Sequence, residues 1–205
     1  ASCRSSAVRR RWFAHDGQAG DRTLAEQLAG LEKLREAMPG ATVLDLGCAE
    51  GLLAREFLSW GARRVDGVEI VPEAVVDARA VLADAIREGR ASVHRGSIMT
   101  LDALDTLDPQ YDIVCALAVV QKVERCDLAL AGIARRARDL LVLRNPPEHG
   151  AIISTERQRG HRFDTRDILA PTHFLADEVR GSRGEWIGYF LANAYLKRMH
   201  PWTAS

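Results

Sequence analysis

Two acids and two glycines carry the strongest chemical signal in this sequence. Asp45 sits in the short apolar run Val43-Leu44-Asp45-Leu46, and the small-residue turn Gly47-Cys48-Ala49-Glu50-Gly51 follows it. Glu69 lies near the end of a second run, Arg64 to Ile70. An acid roughly twenty residues beyond such a turn can accept the hydroxyls of a ribose. The glycines let the backbone approach a ligand closely and take positive φ. The turn reads Gly-x-x-x-Gly, not the Gly-x-Gly-x-x-Gly that seats a pyrophosphate on a helix start, so a ribose without a phosphate is the better fit.

Holding these groups in place takes a strand, a tight loop and a helix in succession, and the pattern then repeats. After the turn, Leu53, Phe57 and Leu58 form an inward helical face that ends at Gly61. Arg64 to Ile70 is a second strand. Pro72 opens a helix whose buried stripe is Val75, Ala78, Leu82 and Ile86, closed by Gly89. Ala91 to Ser97 is a third strand, and Tyr111 to Leu117 is a continuous apolar run of the kind buried on both faces of a parallel sheet. Asp127 to Arg138 has helical periodicity with Asp127 as its cap, and Leu140 to Leu143 is a fifth strand. Such alternation implies right-handed βαβ units and a mainly parallel sheet.

The flanks differ in character. Residues 1–20 read as an N-terminal arm, and 21–205 as a single domain. Thr23 and Glu26 form a capping box for one helix through Leu24, Leu28, Leu31 and Met38, stopped by Pro39-Gly40. Residues 146–165 read as a polar loop, with Asp164-Thr165 starting a short helix that ends before Pro171. Phe174 to Val179 and Glu185 to Asn193 are two strands joined by Gly181-Ser182-Arg183-Gly184, an antiparallel hairpin.

Bulk composition narrows the function classes. The 205 residues are 47% hydrophobic, enough for a full α/β core. Lys plus Arg and Asp plus Glu balance at 28 each, so no global field draws the chain to nucleic acid or membrane. No run approaches the roughly twenty apolar residues of a membrane span, and Ala1-Ser2-Cys3-Arg4 lacks the apolar core of a signal peptide. Cys3, Cys48, Cys115 and Cys126 have no metal-ligand or CxxC spacing, which suits a reducing, cytoplasmic setting and no bound metal.

Taken in order, these features resemble the class I S-adenosylmethionine-dependent methyltransferases over roughly residues 41–195. The resemblance implies a three-layer Rossmann-like α/β fold: a mainly parallel seven-stranded sheet with an antiparallel C-terminal hairpin and helices on both faces. It implies S-adenosyl-L-methionine as cofactor. The loop backbone of Gly47, Cys48, Ala49, Glu50 and Gly51 would pass the methionine part and the nucleoside, and Asp45 would orient the methionine end. Glu69 matches the acid that holds the ribose, with Ile70 beside the adenine and Ser97 and Ile98 on the adenine rim. Ala116 and Leu117 would run under the cofactor near the methyl group. Two departures stand out: Ala49 replaces the usual middle glycine, and Ser97 stands where many relatives carry Asp, leaving the Ile98 backbone as donor at that rim.

The acceptor side is less legible, because an activated methyl needs in-line placement and exclusion of water more than a conspicuous catalytic set. Trp12, within Arg9-Arg10-Arg11-Trp12-Phe13, is read either as part of a solvated basic run or as a flap over a ligand. Gln121 and Lys122 lie just beyond the fourth strand, as a substrate contact or a solvated helix start. Asn145 and His149 follow the fifth strand in Arg144-Asn145-Pro146-Pro147-Glu148-His149. Asn-Pro-Pro resembles the signature of amino-directed nucleic-acid methyltransferases, but there it follows the fourth strand and precedes an aromatic. Arg157, Arg159, Arg162 and Arg166 form the densest basic stretch, a solvated loop or a site for an anionic acceptor. The expectation is direct methyl transfer to a small molecule, with no catalytic base assigned. The alternatives are an RNA methyltransferase, with nucleic acid as partner, and a catalytically silent module that binds a partner protein. A nicotinamide oxidoreductase is disfavoured by the loop pattern.

Overall fold

The alternation of apolar runs with helical stripes resolves, in a computed structural model, into a sheet flanked by helices. The structure describes residue 12 and residues 20–145, 151–153 and 162–192, with backbone alone at 103, 151–153 and 162. In chain order, α1 (Leu24–Leu28) and α2 (Glu32–Ala37) precede β1 (Thr42–Leu46), α3 (Leu52–Ser59), β2 (Arg64–Glu69), α4 (Pro72–Val81), α5 (Ala83–Arg87) and β3 (Ala91–Arg95). Then come β4 (Tyr111–Leu117), α6 (Cys126–Arg136), β5 (Ala137–Asn145), β6 (Ala151–Ile153), β7 (Arg162–Asp164), α7 (Thr165–Leu169), β8 (His173–Arg180) and β9 (Trp186–Ala192).

Seven strands form one sheet in the order β3-β2-β1-β4-β5-β9-β8. The first five pair in parallel, β9 runs antiparallel to β5, and β8 pairs antiparallel with β9. The expected seven-stranded Rossmann-like sheet with its C-terminal hairpin is therefore present. From β1 the chain steps outward to β2 and β3, then returns to lay β4 on the other side of β1. That reversal opens a crevice beyond the carboxyl ends of β1 and β4, the general place for a ligand in a sheet of this type.

Residues alternate between two cores. Val43, Val65, Ile113, Leu140, Val142, Tyr189 and Leu191 pack against Leu34 of α2, Leu53 and Phe57 of α3, and Val75 and Ala78 of α4. On the other face, Leu44, Leu46, Val114, Leu141, Leu143, Trp186 and Phe190 meet Cys126, Leu130 and Ile133 of α6 and Leu169 of α7. Burial on both faces explains why β4 and β5 read as unbroken apolar runs.

Several boundaries differ from expectation. The single helix expected from Leu24 to Met38 is two helices, because Gly30 takes φ +82° between them. The break lets the Gly30 carbonyl accept the Tyr189 hydroxyl at 2.5 Å, tying this corner to the hairpin. The stripe from Val75 to Ile86 spans α4 and α5, interrupted at Leu82. Asp127 is not a cap: α6 starts one residue earlier with Arg125 at its N-cap, and the Asp127 carboxylate pairs with the Arg125 guanidinium. The helix also ends at Arg136, where β5 begins at once. Within the stretch expected to be loop, β6 and β7 pair antiparallel; three residues each is too short to show alternation in sequence. Asp164 does cap α7, its Oδ1 accepting the Arg166 N–H at 2.8 Å.

Candidate functional site

At the β1–β4 reversal lies a cavity of about 420 Å³, within the size range of small-molecule sites. Its floor is the strand-to-helix turn after β1. Gly47 takes φ +72°, and a Cβ there would fall 2.9 Å from Val119, so the loop after β4 lies directly on this turn. Gly47 and Cys48 donate N–H groups to the Val68 carbonyl, locking the turn to β2. Gly51, at φ +79°, starts α3; its own side-chain position is filled by Ala78, so α3 and α4 pack closely. Ala49 also takes positive φ, +49°, although it carries a Cβ.

Glu69 ends β2 with a carboxylate held on three sides. Its Oε2 accepts the Ala49 N–H at 3.0 Å, and its Oε1 accepts those of Ile70 and Val71 at 2.8 and 2.9 Å. A carboxylate has about four acceptor positions, so roughly one is left for a ligand in this geometry. Asp45 is the opposite case. It is 2% exposed, its Oδ2 has no hydrogen-bond partner, and burial, together with the nearby Glu69 charge, pushes its carboxyl up to about 7. Burial also pushes the Cys48 thiol well up, so it is a neutral wall group.

The other wall comes from the arm and the β4 loop. Trp12 donates its N–H to Glu50 Oε1 at 3.0 Å and accepts the Arg22 N–H at 3.1 Å. The Lys122 ammonium rests 3.6 Å from the centre of the Trp12 ring, a cation–π contact that joins the arm to the β4 loop. Gln121 lines the cavity with a buried Oε1 that has no hydrogen-bond partner.

Most of the residues singled out in the sequence converge here. Asp45, Gly47, Cys48, Ala49, Glu69 and Ile70 line the cavity, as do Ser97, Ile98, Leu117, Trp12, Gln121 and Lys122. Four others do not. Glu50 is buried behind the turn, holding Trp12; Gly51 packs on α4; Ala116 is buried within β4. Asn145 is buried at the end of β5, where its Nδ2 reaches Thr165 Oγ1 at 3.3 Å. The Ser97 hydroxyl accepts the Met99 N–H at 3.2 Å, so it serves its own turn. His149, Arg157 and Arg159 lie outside the described residues, as do residues 1–11 and 13–19 of the arm.

Sequence reasoning missed Arg22 and Gln27 in the wall. Both belong to a buried polar cluster: Arg144, pushed down to about 10 by burial, donates to the Gln27 side chain at 2.8 Å and its carbonyl at 2.6 Å, while Arg22 pairs with Glu185. The only local signal was Arg144, a charged residue directly after the apolar run Leu140–Leu143 of β5.

Comparison with known proteins fits this geometry. A family described as methyltransferase domain matches residues 43–139, the segment that supplies both acids and the β4 wall. This match and the shared fold support a class I S-adenosylmethionine-dependent methyltransferase domain over that segment. The ribosomal protein L11 methyltransferase of Thiobacillus denitrificans is 34% identical over 103 residues, 50% of this chain and 32% of that protein. The match thus spans about a third of that relative's length. Among solved structures, magnesium protoporphyrin IX methyltransferase from Synechocystis PCC 6803, with bound S-adenosylmethionine, is 23% identical at a TM-score of 0.61, covering 78% of this chain and 74% of that one. The N-methyltransferase NodS from Bradyrhizobium japonicum WM9, in complex with S-adenosylhomocysteine, is 15% identical at 0.60, covering 86% and 94%. Both share the fold. Among the described residues, no helix is long and apolar enough to cross a membrane.

Proposed function

We propose that the chain binds S-adenosylmethionine in this cavity and transfers its methyl group directly to a small-molecule acceptor. The observation that carries this reading is the Glu69 carboxylate, fixed at the end of β2 by three backbone N–H groups and facing a cavity at the topological reversal. When bound, the cofactor supplies a methyl group activated by a sulfonium. The donor set fits such a group: the unpartnered Asp45 Oδ2 and the remaining acceptor position of Glu69 call for a ligand rich in N–H, O–H and positive charge. Gly47 to Ala49 offer a wall of small residues at the turn, and Ile70 and Ile98 offer apolar surface at the rim for a flat base. Trp12, held by Glu50 and Lys122, covers the side toward the arm and excludes water.

On this reading residues 21–205 act as one domain, and the N-terminal arm delivers Trp12 to its wall. Cys48, Cys115 and Cys126 are buried free thiols, which suits a reducing, cytoplasmic setting.

Calorimetric titration with S-adenosylmethionine tests the proposal. The chain binds it, and Glu69→Ala weakens binding by about 1–3 kcal/mol through lost charged hydrogen bonds. No heat of binding to the unmodified chain, or an unchanged dissociation constant in the variant, overturns the assignment.

A further inference from the structure

The described charged side chains lining the cavity come from different parts of the sheet according to sign. Asp45 and Glu69 stand toward the carboxyl ends of β1 and β2, the half assigned above to the cofactor. The cations are Lys122, which lies on the Trp12 ring, and Arg22. Arg22 is anchored on Glu185, a residue 5% exposed that directly precedes β9. In the strand order β9 is three places from β1 and four from β2. At about 4.8 Å per strand, that anchor stands roughly 14 Å along the sheet from Asp45's strand and roughly 19 Å from Glu69's. The segment around Arg22 is itself fastened to the hairpin. Arg183 donates to the Asp21 carbonyl at 2.9 Å, Ser182 to the Glu26 carbonyl at 3.0 Å, and Arg144 to Gln27. Arg22 is therefore a fixed cation on the cavity wall, its side chain 20% exposed.

Glu185 does not exhaust this cation. Its Oε2 accepts the Arg183 N–H at 2.8 Å, and its Oε1 faces Arg22. A guanidinium carries five N–H donors in a planar fork, so one carboxylate oxygen leaves most of them for a second acceptor. The charges are also uneven. Glu185 stands beside two arginines, Arg22 and the buried Arg144, and the Arg144 guanidinium is met by the uncharged Gln27. Arg183 has its own partner in Glu26. One negative charge among two positive ones suits a second anion, and a fork on a rigid mount suits an oxyanion held through two parallel bonds. From this arrangement we infer that Arg22 anchors an anionic acceptor, its guanidinium binding a carboxylate or phosphate of the small molecule to be methylated. The anchor would hold one end of the acceptor on the β5–β9 side and leave the rest to reach toward the cofactor half. The inference rests on the cofactor reading above and adds the charge class of the acceptor to it. S-adenosylmethionine brings one carboxylate of its own, so the experiment must separate the two sources.

The experiment uses the full chain saturated with S-adenosylhomocysteine and titrates it, by calorimetry, with benzoate, phenyl phosphate, benzamide and benzyl alcohol. The expected result is that at least one of the two anions binds about tenfold or more tighter than the neutral compounds. Arg22→Gln removes that preference, Arg22→Lys keeps part of it, and the S-adenosylhomocysteine dissociation constant stays within about twofold in both. A double variant, Arg22→Gln with Glu185→Gln, leaves no stranded acid and should lose the preference equally, which assigns the loss to the guanidinium and not to misfolding. Equal binding of anions and neutral compounds, no binding of either anion, or an intact preference in Arg22→Gln overturns the inference. It is also overturned if Arg22→Gln weakens S-adenosylhomocysteine but not its decarboxylated analogue, since Arg22 then reads the carboxylate of the cofactor. In each of those cases cofactor binding by the unmodified chain leaves the cofactor reading standing, whereas its absence refutes that reading itself.

Discussion

Two buried aspartates on neighbouring strands are treated in opposite ways. Asp66 on β2 is fully buried, and both its oxygens are used: Oδ1 accepts Arg64 Nε at 3.0 Å and the Ser92 hydroxyl at 2.6 Å, while Oδ2 accepts the Tyr111 hydroxyl at 2.9 Å. Asp45 on β1 is 2% exposed, yet one oxygen has no partner and its carboxyl is pushed up to about 7. The first acid ties together β2, β3 and β4 below the cavity. The second is kept in an unfavourable state at the cavity itself. Asp66 is fully paired within the fold, whereas Asp45, which lines the cavity, keeps one buried oxygen without a hydrogen-bond partner.

The largest effect is expected where the pairing is complete. Asp66→Ala strands the Tyr111 and Ser92 hydroxyls and leaves Arg64 without its buried carboxylate, costing about 3–5 kcal/mol in chemical denaturation. Cofactor affinity, measured on the folded fraction, should change little. If Asp66→Ala unfolds no more readily than the unmodified chain, the division between the two acids fails.

Asp45 predicts a pH dependence of the opposite kind. Its carboxyl is raised from an ordinary 3.8 to about 7, first by burial and then by the Glu69 charge. The folded chain therefore holds a proton that the unfolded chain releases, and stability falls as pH rises from about 4 to 7, by an amount on the order of 2–4 kcal/mol. Asp45→Asn removes this slope, so denaturation curves of the variant and the unmodified chain should converge near pH 4 and separate toward pH 8 in the variant's favour. Cofactor affinity should move the other way, rising with pH through about 7 in the unmodified chain as the carboxylate becomes charged, and staying flat in the variant. A variant that keeps the stability slope assigns that slope to another group.

The same contrast explains what could be read from sequence. The succession of strands and helices and the cavity acids were legible because each rests on short-range pattern: apolar runs, a glycine turn, an acid at the end of the next strand. Asp66 left no such trace, since its partners Ser92 and Tyr111 lie 26 and 45 positions away. Gln121 was visible as a residue past β4, but only folding shows that it lines the cavity and that its Oε1 is buried without a hydrogen-bond partner. Arg22 and Gln27 read as part of a packing segment because their tie to Arg144 and Glu185 crosses most of the chain.

The smallest expected effect concerns the backbone. Among the described residues, positive φ without glycine occurs at Ala49, +49°, and Ala118, +66°, and both line the cavity. Left-handed backbone costs an L-residue about 1–2 kcal/mol, and glycine returns part of that gain as greater freedom in the unfolded chain, about 0.5–1 kcal/mol. Ala49→Gly should therefore raise stability by no more than about 1 kcal/mol. Gly47→Ala should do the reverse and more, because its φ is +72° and the added Cβ would fall 2.9 Å from Val119. The informative readout is affinity measured beside stability. If Ala49 is strained because its N–H must reach Glu69 Oε2, the glycine variant gains stability while the loop loosens, and cofactor affinity falls slightly. If affinity and stability rise together, the strain at Ala49 belongs to the fold and not to the site.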